Sequence, residues 1–140
     1  MLNAVDVHEI CDQHNIDVQE IELGECAGFI SCTSDKWVIS VNKGDPLVRR
    51  RFTIAHELGH FFLHLSRGSV RIDRPLHRSI NASNSAQERE ANAFAAALLM
   101  PANVLQAAVN EGKPTNVLAR ELLVSASALS WRLQDLGLKK

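Results

Sequence analysis

The sequence contains no tyrosine, and phenylalanine and tryptophan together make up only 5% of its 140 residues. Cysteine is also scarce: Cys11, Cys26 and Cys32 are an odd number, and no two of them have CxxC spacing. These counts argue against a disulfide framework and against a zinc cluster built from cysteines. The formal net charge is only −1, so the composition does not indicate a nucleic acid or an anionic membrane as partner.

Targeting signals and long apolar runs are missing as well. Residues 1–6 show neither the basic segment nor the apolar stretch of a secretory signal, and the run at 94–100 is too short to cross a bilayer. Hydrophobic residues still make up 46% of the chain, which is enough for a globular core. We therefore predict a single cytoplasmic domain over residues 1–140 that does not contact a membrane.

The periodicity of apolar residues predicts an α+β fold that begins with a helix and a small sheet at 1–45. Residues 4–14 have the spacing of a short amphipathic helix. Alternating and β-branched segments then follow at 20–25, 27–32 and 37–41. We read them as three antiparallel strands, the last two of which form a hairpin.

The remainder of the chain is predicted to be helical. Residues 46–100 are expected to contain two long helices, separated by a polar and basic stretch at 66–84. Residues 101–140 are expected to add further helices, and the pair around a tight turn at Val124 has the form of a helix-turn-helix.

The first long helix carries His56, Glu57 and His60 in HExxH spacing. An α-helix has 3.6 residues per turn, so the two imidazoles lie one turn apart on one face and can bind the same metal ion. Glu57 lies about 100° around the helix, where its carboxylate can take a proton from a water bound to the metal. The pattern predicts a zinc site that hydrolyses peptide bonds, although manganese or iron would also accept these ligands.

Gly59 lies inside this predicted helix, where glycine costs about 1 kcal/mol relative to alanine. The surrounding residues are apolar, as Phe52, Leu58 and Phe62 illustrate. A glycine in such a place indicates close packing against another backbone, and we expect that backbone to belong to the sheet.

Catalytic zinc takes three protein ligands, so the sequence must supply a third. His64 continues the i+4 spacing but lies two turns, about 12 Å, from His56, and we expect it to be a core or supporting residue. Glu88 shares the inward face of the next helix, whereas Glu90 lies roughly 200° further around and is expected to face solvent. We therefore predict Glu88, with Glu90 as the alternative, and expect Asn92 to hydrogen-bond a ligand histidine.

Peptide hydrolysis also requires a donor for the oxyanion of the transition state. Tyrosine, a common choice, is absent. The available donors are His77, Arg71, Arg74 and Arg78, all within the stretch at 66–84. We predict that His77 has this role.

Two segments resemble the ImmA/IrrE metallopeptidases: FTIAHELGHFFLH at 52–64 and EREANAFAAALLMP at 88–101. Residues 118–138 are also similar to the C-terminal helical part of that family. The resemblance implies a zincin-like fold, in which a small sheet packs on the HExxH helix. It also implies His56, His60 and Glu88 as zinc ligands and Glu57 as the catalytic base.

The resemblance further implies a substrate, since members of that family often cleave helix-turn-helix repressors of phage, mobile-element or stress genes. Two alternatives stay open: a metal-binding antirepressor that does not cleave, and a DNA-binding protein that uses the C-terminal helix pair. Direct DNA binding is not expected, because the last helix offers a single basic residue, Arg132, and Leu123 stands where a turn glycine is common.

Overall fold

The computed structural model describes residues 1–65, 76–77 and 85–138. These residues form an α+β fold, as predicted. The helices are α1 (Val7–Gln13), α2 (Leu47–His60), α3 (Ser85–Leu99), α4 (Ala102–Asn110), α5 (Thr115–Leu122) and α6 (Ala126–Asp135). The strands are β1 (Ile16–Ile21), β2 (Cys26–Thr33), β3 (Lys36–Asn42) and the two-residue β4 (Leu76–His77). A π-helical turn, Phe61–Leu65, follows α2 directly.

The sheet has the order β1-β3-β2-β4 and is mixed. The hairpin of β2 and β3 is antiparallel as predicted, but β1 pairs with β3 in parallel, so the prediction of three antiparallel strands is wrong. Alternating residues predict strands but do not fix their order in the sheet. Here β3 lies between β1 and β2 and pairs with both of them. Asn42, at the end of β3, donates to the carbonyl oxygens of Gly24 (2.8 Å) and Cys26 (3.0 Å), which holds the β1–β2 connection in place.

Helix α2 packs on this sheet, and the two share one hydrophobic core. Gly28 of β2 makes the close approach possible. A Cβ atom there would lie 2.5 Å from the Ser40 carbonyl oxygen and 2.6 Å from Cγ2 of Thr53. Any side chain at position 28 would therefore push α2 away from the sheet, and with it the HExxH segment.

The close packing predicted for Gly59 is present, but its partner is α3 and not the sheet. A Cβ atom at Gly59 would lie 3.1 Å from both Cα and the carbonyl oxygen of Ala91, and 3.1 Å from Cβ of Phe94. The missing side chain therefore sets the separation of α2 and α3, the two helices that carry the candidate site.

The C-terminal helices contribute leucines to this core, among them Leu118, Leu122 and Leu129, and make polar contacts with the rest of the fold. The buried guanidinium of Arg51 donates to the carbonyl oxygens of Val5 (2.8 Å) and Leu123 (3.3 Å). Leu123 has a left-handed backbone, φ 56°, and ends α5 where glycine is usual. On α6, Ser125 caps the first turn by accepting from the Ala128 amide, at 3.1 Å.

None of the helices in the described part of the chain is, by itself, both long and apolar enough to cross a membrane. A bent pair, 86–99 with 102–110, passes the same test on length and composition, with an angle of 49° between the two segments. Residues of both segments, among them Ala95, Leu99 and Leu105, are buried in the hydrophobic core.

Candidate metal centre

Three side chains from α2 and α3 converge on one point. His56 and His60 are buried and lie one turn apart on α2, and Glu88 reaches them from the first turn of α3. The Glu88 carboxylate lies 3.0 Å from His56 Nε2 through Oε1 and 2.8 Å from His60 Nε2 through Oε2. One ligand atom from each residue lies within 4.8 Å of the other two, a spacing that a single metal ion can bridge.

The structure brings Glu88, and not Glu90, to the two histidines. Glu90 is 60% exposed and contacts His64 Nε2 at 2.8 Å. This arrangement agrees with the directions expected from helix periodicity, in which Glu88 faces inward and Glu90 faces solvent.

Asn92 supports His56 on the side of the ring opposite Glu88. Its Oδ1 lies 2.7 Å from His56 Nδ1, so it accepts a hydrogen bond when that nitrogen carries the proton. Nε2 is then the ring nitrogen that faces Glu88 and the space between the donors, and it can ligate once any proton shared with Glu88 has left. A histidine held in this way has the tautomer that a metal requires.

Glu57 lies beside this group but is not one of its donors. It is 2% exposed, and its Oε2 has no hydrogen-bond partner among the residues that the structure describes. Burial raises the pKa of Glu57 from 4.5 to about 7, partly offset by His56. A carboxylate with a pKa near neutrality and a free oxygen is suited to accept and return a proton.

The charge states of His60 and Glu88 suit a cation, whereas His56 would have to give up a proton. Burial lowers the pKa of His60 to about 4, with a contribution from His56, so His60 is neutral at pH 7 and offers a lone pair. Burial acts to raise the pKa of Glu88, but hydrogen bonds from the two histidines outweigh it and the net shift is downward. The pKa of His56 is raised: burial opposes this, and the hydrogen bond to Glu88 prevails.

These observations fit a divalent cation. Two imidazole nitrogens and a carboxylate oxygen form a donor set typical of catalytic zinc, and the buried, unpaired oxygen of Glu57 is explained if it faces a water at that ion. A proton between His56 and Glu88 would have to leave when the ion binds.

His64 was predicted to be a core or supporting residue. Its Nδ1 lies 2.9 Å from His60 Nδ1 and its Nε2 contacts Glu90, so it links a proposed ligand to Glu90, the acid predicted to face solvent and kept as the alternative ligand. The i+4 spacing from His60 was a signal for the first contact, whereas the second depends on how α3 packs and has no sequence signal.

His77, the predicted oxyanion donor, is described only in its backbone, which pairs with Cys26 as part of β4. Its side chain lies outside the described residues. The other candidates, Arg71, Arg74 and Arg78, lie outside them entirely.

Comparison with known proteins gives two matches. The family model for the IrrE N-terminal-like domain, a peptidase family, matches residues 11–134. Metallopeptidase ImmA of Bacillus subtilis (strain 168) is 28% identical over 138 residues, which cover 94% of this chain and 76% of that protein. The family match spans all of the site residues identified above.

Proposed function

This chain belongs to the peptidase family of IrrE N-terminal-like domains, and from that premise we propose that it is a zinc-dependent endopeptidase. The observation that carries the proposal is the convergence of His56, His60 and Glu88 beside a buried glutamate with an unpaired oxygen. Zinc is the preferred ion because its catalytic sites use this ligand set, and manganese or iron are the alternatives.

Each residue has a separate task in this proposal. His56, His60 and Glu88 would hold the ion. A zinc ion bound there would polarise the scissile carbonyl group and make a water molecule more acidic. Glu57 would accept a proton from the attacking water at its free Oε2 and donate it to the leaving amine.

Asn92 would keep His56 in the ligating tautomer through its 2.7 Å hydrogen bond. His77 is our proposed donor to the oxyanion.

As its substrate we propose a helix-turn-helix transcriptional repressor in the cytoplasm, whose cleavage would relieve repression. The support is the resemblance of the segments at 52–64 and 88–101 to the ImmA/IrrE metallopeptidases. A non-proteolytic antirepressor with the same metal site is the alternative, and it would not need Glu57 as a base.

Direct binding of nucleic acid is not part of the proposal. The only basic side chain of α6, Arg132, donates through Nε to the carbonyl oxygen of Met100, at 3.0 Å. This contact ties α6 to the end of α3, and it leaves the helix that would read DNA poor in groups for phosphates or bases.

The proposal is tested by co-expressing the chain with a candidate helix-turn-helix repressor. Wild type should release a reporter from repression and yield repressor fragments, whereas Glu57→Gln should do neither. Glu25→Gln, which changes an exposed acid in the β1–β2 connection, should behave as wild type. Release of the reporter by Glu57→Gln, without fragments from wild type, would show that the chain is an antirepressor and not a peptidase.

A further inference from the structure

A line of three side chains runs from the proposed metal ligand His60 to the surface of α3. His60 Nδ1 lies 2.9 Å from His64 Nδ1, and His64 Nε2 lies 2.8 Å from Glu90 Oε1. The side chain of His64 is 7% exposed, whereas that of Glu90 is 60% exposed. His64 is thus a buried imidazole with a partner on each ring nitrogen, and nothing in the proposed mechanism uses it.

The hydrogen-bond roles along this line follow from the chemistry at its two ends. A carboxylate oxygen can only accept, so the contact with Glu90 calls for a proton on His64 Nε2. With that proton on Nε2, Nδ1 of His64 can offer a lone pair and accept from Nδ1–H of His60. With a cation between the donors, His60 would then be left with an unprotonated Nε2 that can ligate; without one, the 2.8 Å contact with the Glu88 carboxylate calls for a proton on that nitrogen.

With an ion in place of the proton between His60 and Glu88, each remaining proton along this line has one donor and one acceptor. If His64 carried its proton on Nδ1 instead, two N–H groups would face each other across 2.9 Å unless His60 gave up that proton. His60 would then carry its proton on Nε2 and could not bind a metal ion through that nitrogen.

We propose that His64 and Glu90 are positioning residues that hold His60 in the tautomer that binds the metal. The inference rests on the proposed metal site and extends it. His56 receives the same support from Asn92, at 2.7 Å. Each of the two proposed histidine ligands would then have its own partner on the nitrogen that faces away from the ion.

The backbone around His64 has an irregular conformation that places its ring beside His60. Residues 61–65 leave the α-helical path for a π-helical turn, a local irregularity that is frequent at functional sites. Aromatic packing fixes the turn from both sides: Phe61 contacts Trp37 with ring centroids 5.5 Å apart, and Phe62 contacts Phe94 at 5.8 Å. The His64 ring is held with its centroid 5.0 Å from that of His60.

Metal affinity tests the inference independently of proteolysis. Zinc affinity would be measured by competition with a chromophoric chelator, for wild type, His64→Leu, His64→Gln and Glu90→Ala. We expect His64→Leu to bind zinc about 10- to 100-fold more weakly, as is usual when a partner of a metal ligand is lost. Glu90→Ala should lose less because Glu90 is exposed, and His64→Gln should recover part of the loss because its amide oxygen can accept from His60.

Two controls distinguish an effect on the positioning of His60 from a general loss of folding. His8→Leu, at an exposed histidine of α1, should bind zinc as wild type does. In wild-type protein with zinc bound, long-range ¹H–¹⁵N NMR spectra should show His64 protonated on Nε2 and not on Nδ1. This second measurement needs no variant, so the inference can be tested even if His64→Leu does not fold.

The outcomes separate the inference from the proposed function. Equal zinc affinity in wild type and folded His64→Leu, or a His64 protonated on Nδ1, would overturn the inference alone. Failure of the wild-type chain to bind zinc, manganese or iron would overturn the proposed function, and the inference with it.

Discussion

Glu57 and Glu88 show how the surroundings of a carboxylate determine its chemistry at the residue scale. Both lie at the same centre, yet burial raises the pKa of Glu57 to about 7, while hydrogen bonds from two histidines lower the pKa of Glu88. The acid that would bind a cation is therefore ionised at neutral pH, and the acid that would exchange a proton is balanced between its two forms. The difference arises because Glu88 lies between the imidazoles, whereas Glu57 is buried and its Oε2 has no hydrogen-bond partner within the described part of the chain.

The raised pKa of Glu57 predicts how stability depends on pH in the protein kept free of metal by a chelator. Between about 4.5 and about 7, the folded state binds a proton at Glu57 that the unfolded state has already lost. The contribution of Glu57 to the free energy of unfolding therefore falls as pH rises through this window. Glu57→Gln has no carboxyl group that titrates, so its free energy of unfolding does not fall in this way. Relative to wild type, that free energy should rise by about 3 kcal/mol from pH 4.5 to pH 8.

Chemical denaturation of both proteins across that pH range measures the difference. A constant offset from the amide itself does not affect the result, because only the change with pH counts. Glu25→Gln is the matched control and should run parallel to wild type. Parallel curves for Glu57→Gln and wild type would contradict the raised pKa.

At the scale of elements, the packing of α2 against α3 brings the donor atoms together. The two helices meet at Gly59, where a Cβ atom would lie 3.1 Å from Ala91 and Phe94, so that these neighbours would have to shift by a few tenths of an ångström. Glu88 lies one turn before Ala91, so the same contact that sets the helix separation sets the distance from Glu88 to the histidines. The fold thus couples the stability of this interface to the geometry of the site.

Gly59→Ala tests this coupling. Alanine should gain about 1 kcal/mol of helix propensity, but overpacking against the backbone of Ala91 costs about 1 to 3 kcal/mol. We expect lower thermal stability together with weaker zinc binding, because α3 must move away from α2. Arg49→Ala, at an exposed position of the same helix, should leave zinc binding unchanged. A gain in stability with unaltered zinc affinity would show that the interface is not tight.

The sequence predicted helices and local spacing well, because both are set by nearby residues. The HExxH stack and the inward direction of Glu88 follow from helix periodicity, and the structure has both. The alternation of apolar and polar residues could not predict that β1 pairs with β3 in parallel. Strand order depends on which edge of β3 is free to pair. The contact between His64 and Glu90 depends on the π-helical turn and on the placement of α3, which are tertiary features.

At the scale of the whole molecule, the C-terminal helices share the hydrophobic core, and two arginines add polar contacts between them and the rest of the fold. Arg51 joins α2 to the turn between α5 and α6, and Arg132 joins α6 to the end of α3. A helix pair tied in this way works as part of the domain, which favours a supporting role over DNA recognition. The formal net charge of −1 points in the same direction.

We therefore expect no DNA binding by the chain alone. In a gel shift at physiological salt, a DNA fragment that carries the repressor's operator should migrate unchanged with this protein and should shift with the repressor. A saturable shift caused by this chain, which loses affinity as salt is raised, would restore the DNA-binding alternative.

The central claim, a metal-dependent peptidase built on His56, Glu57, His60 and Glu88, is tested most directly by cleavage with purified components. The chain would be stripped of metal, reloaded with zinc and incubated with the repressor, and the products would be identified by mass spectrometry. We predict fragments only in the presence of the ion, and none from Glu57→Gln even when that variant binds zinc with wild-type affinity. Cleavage that persists after metal removal, or that proceeds equally well in Glu57→Gln, would contradict the claim.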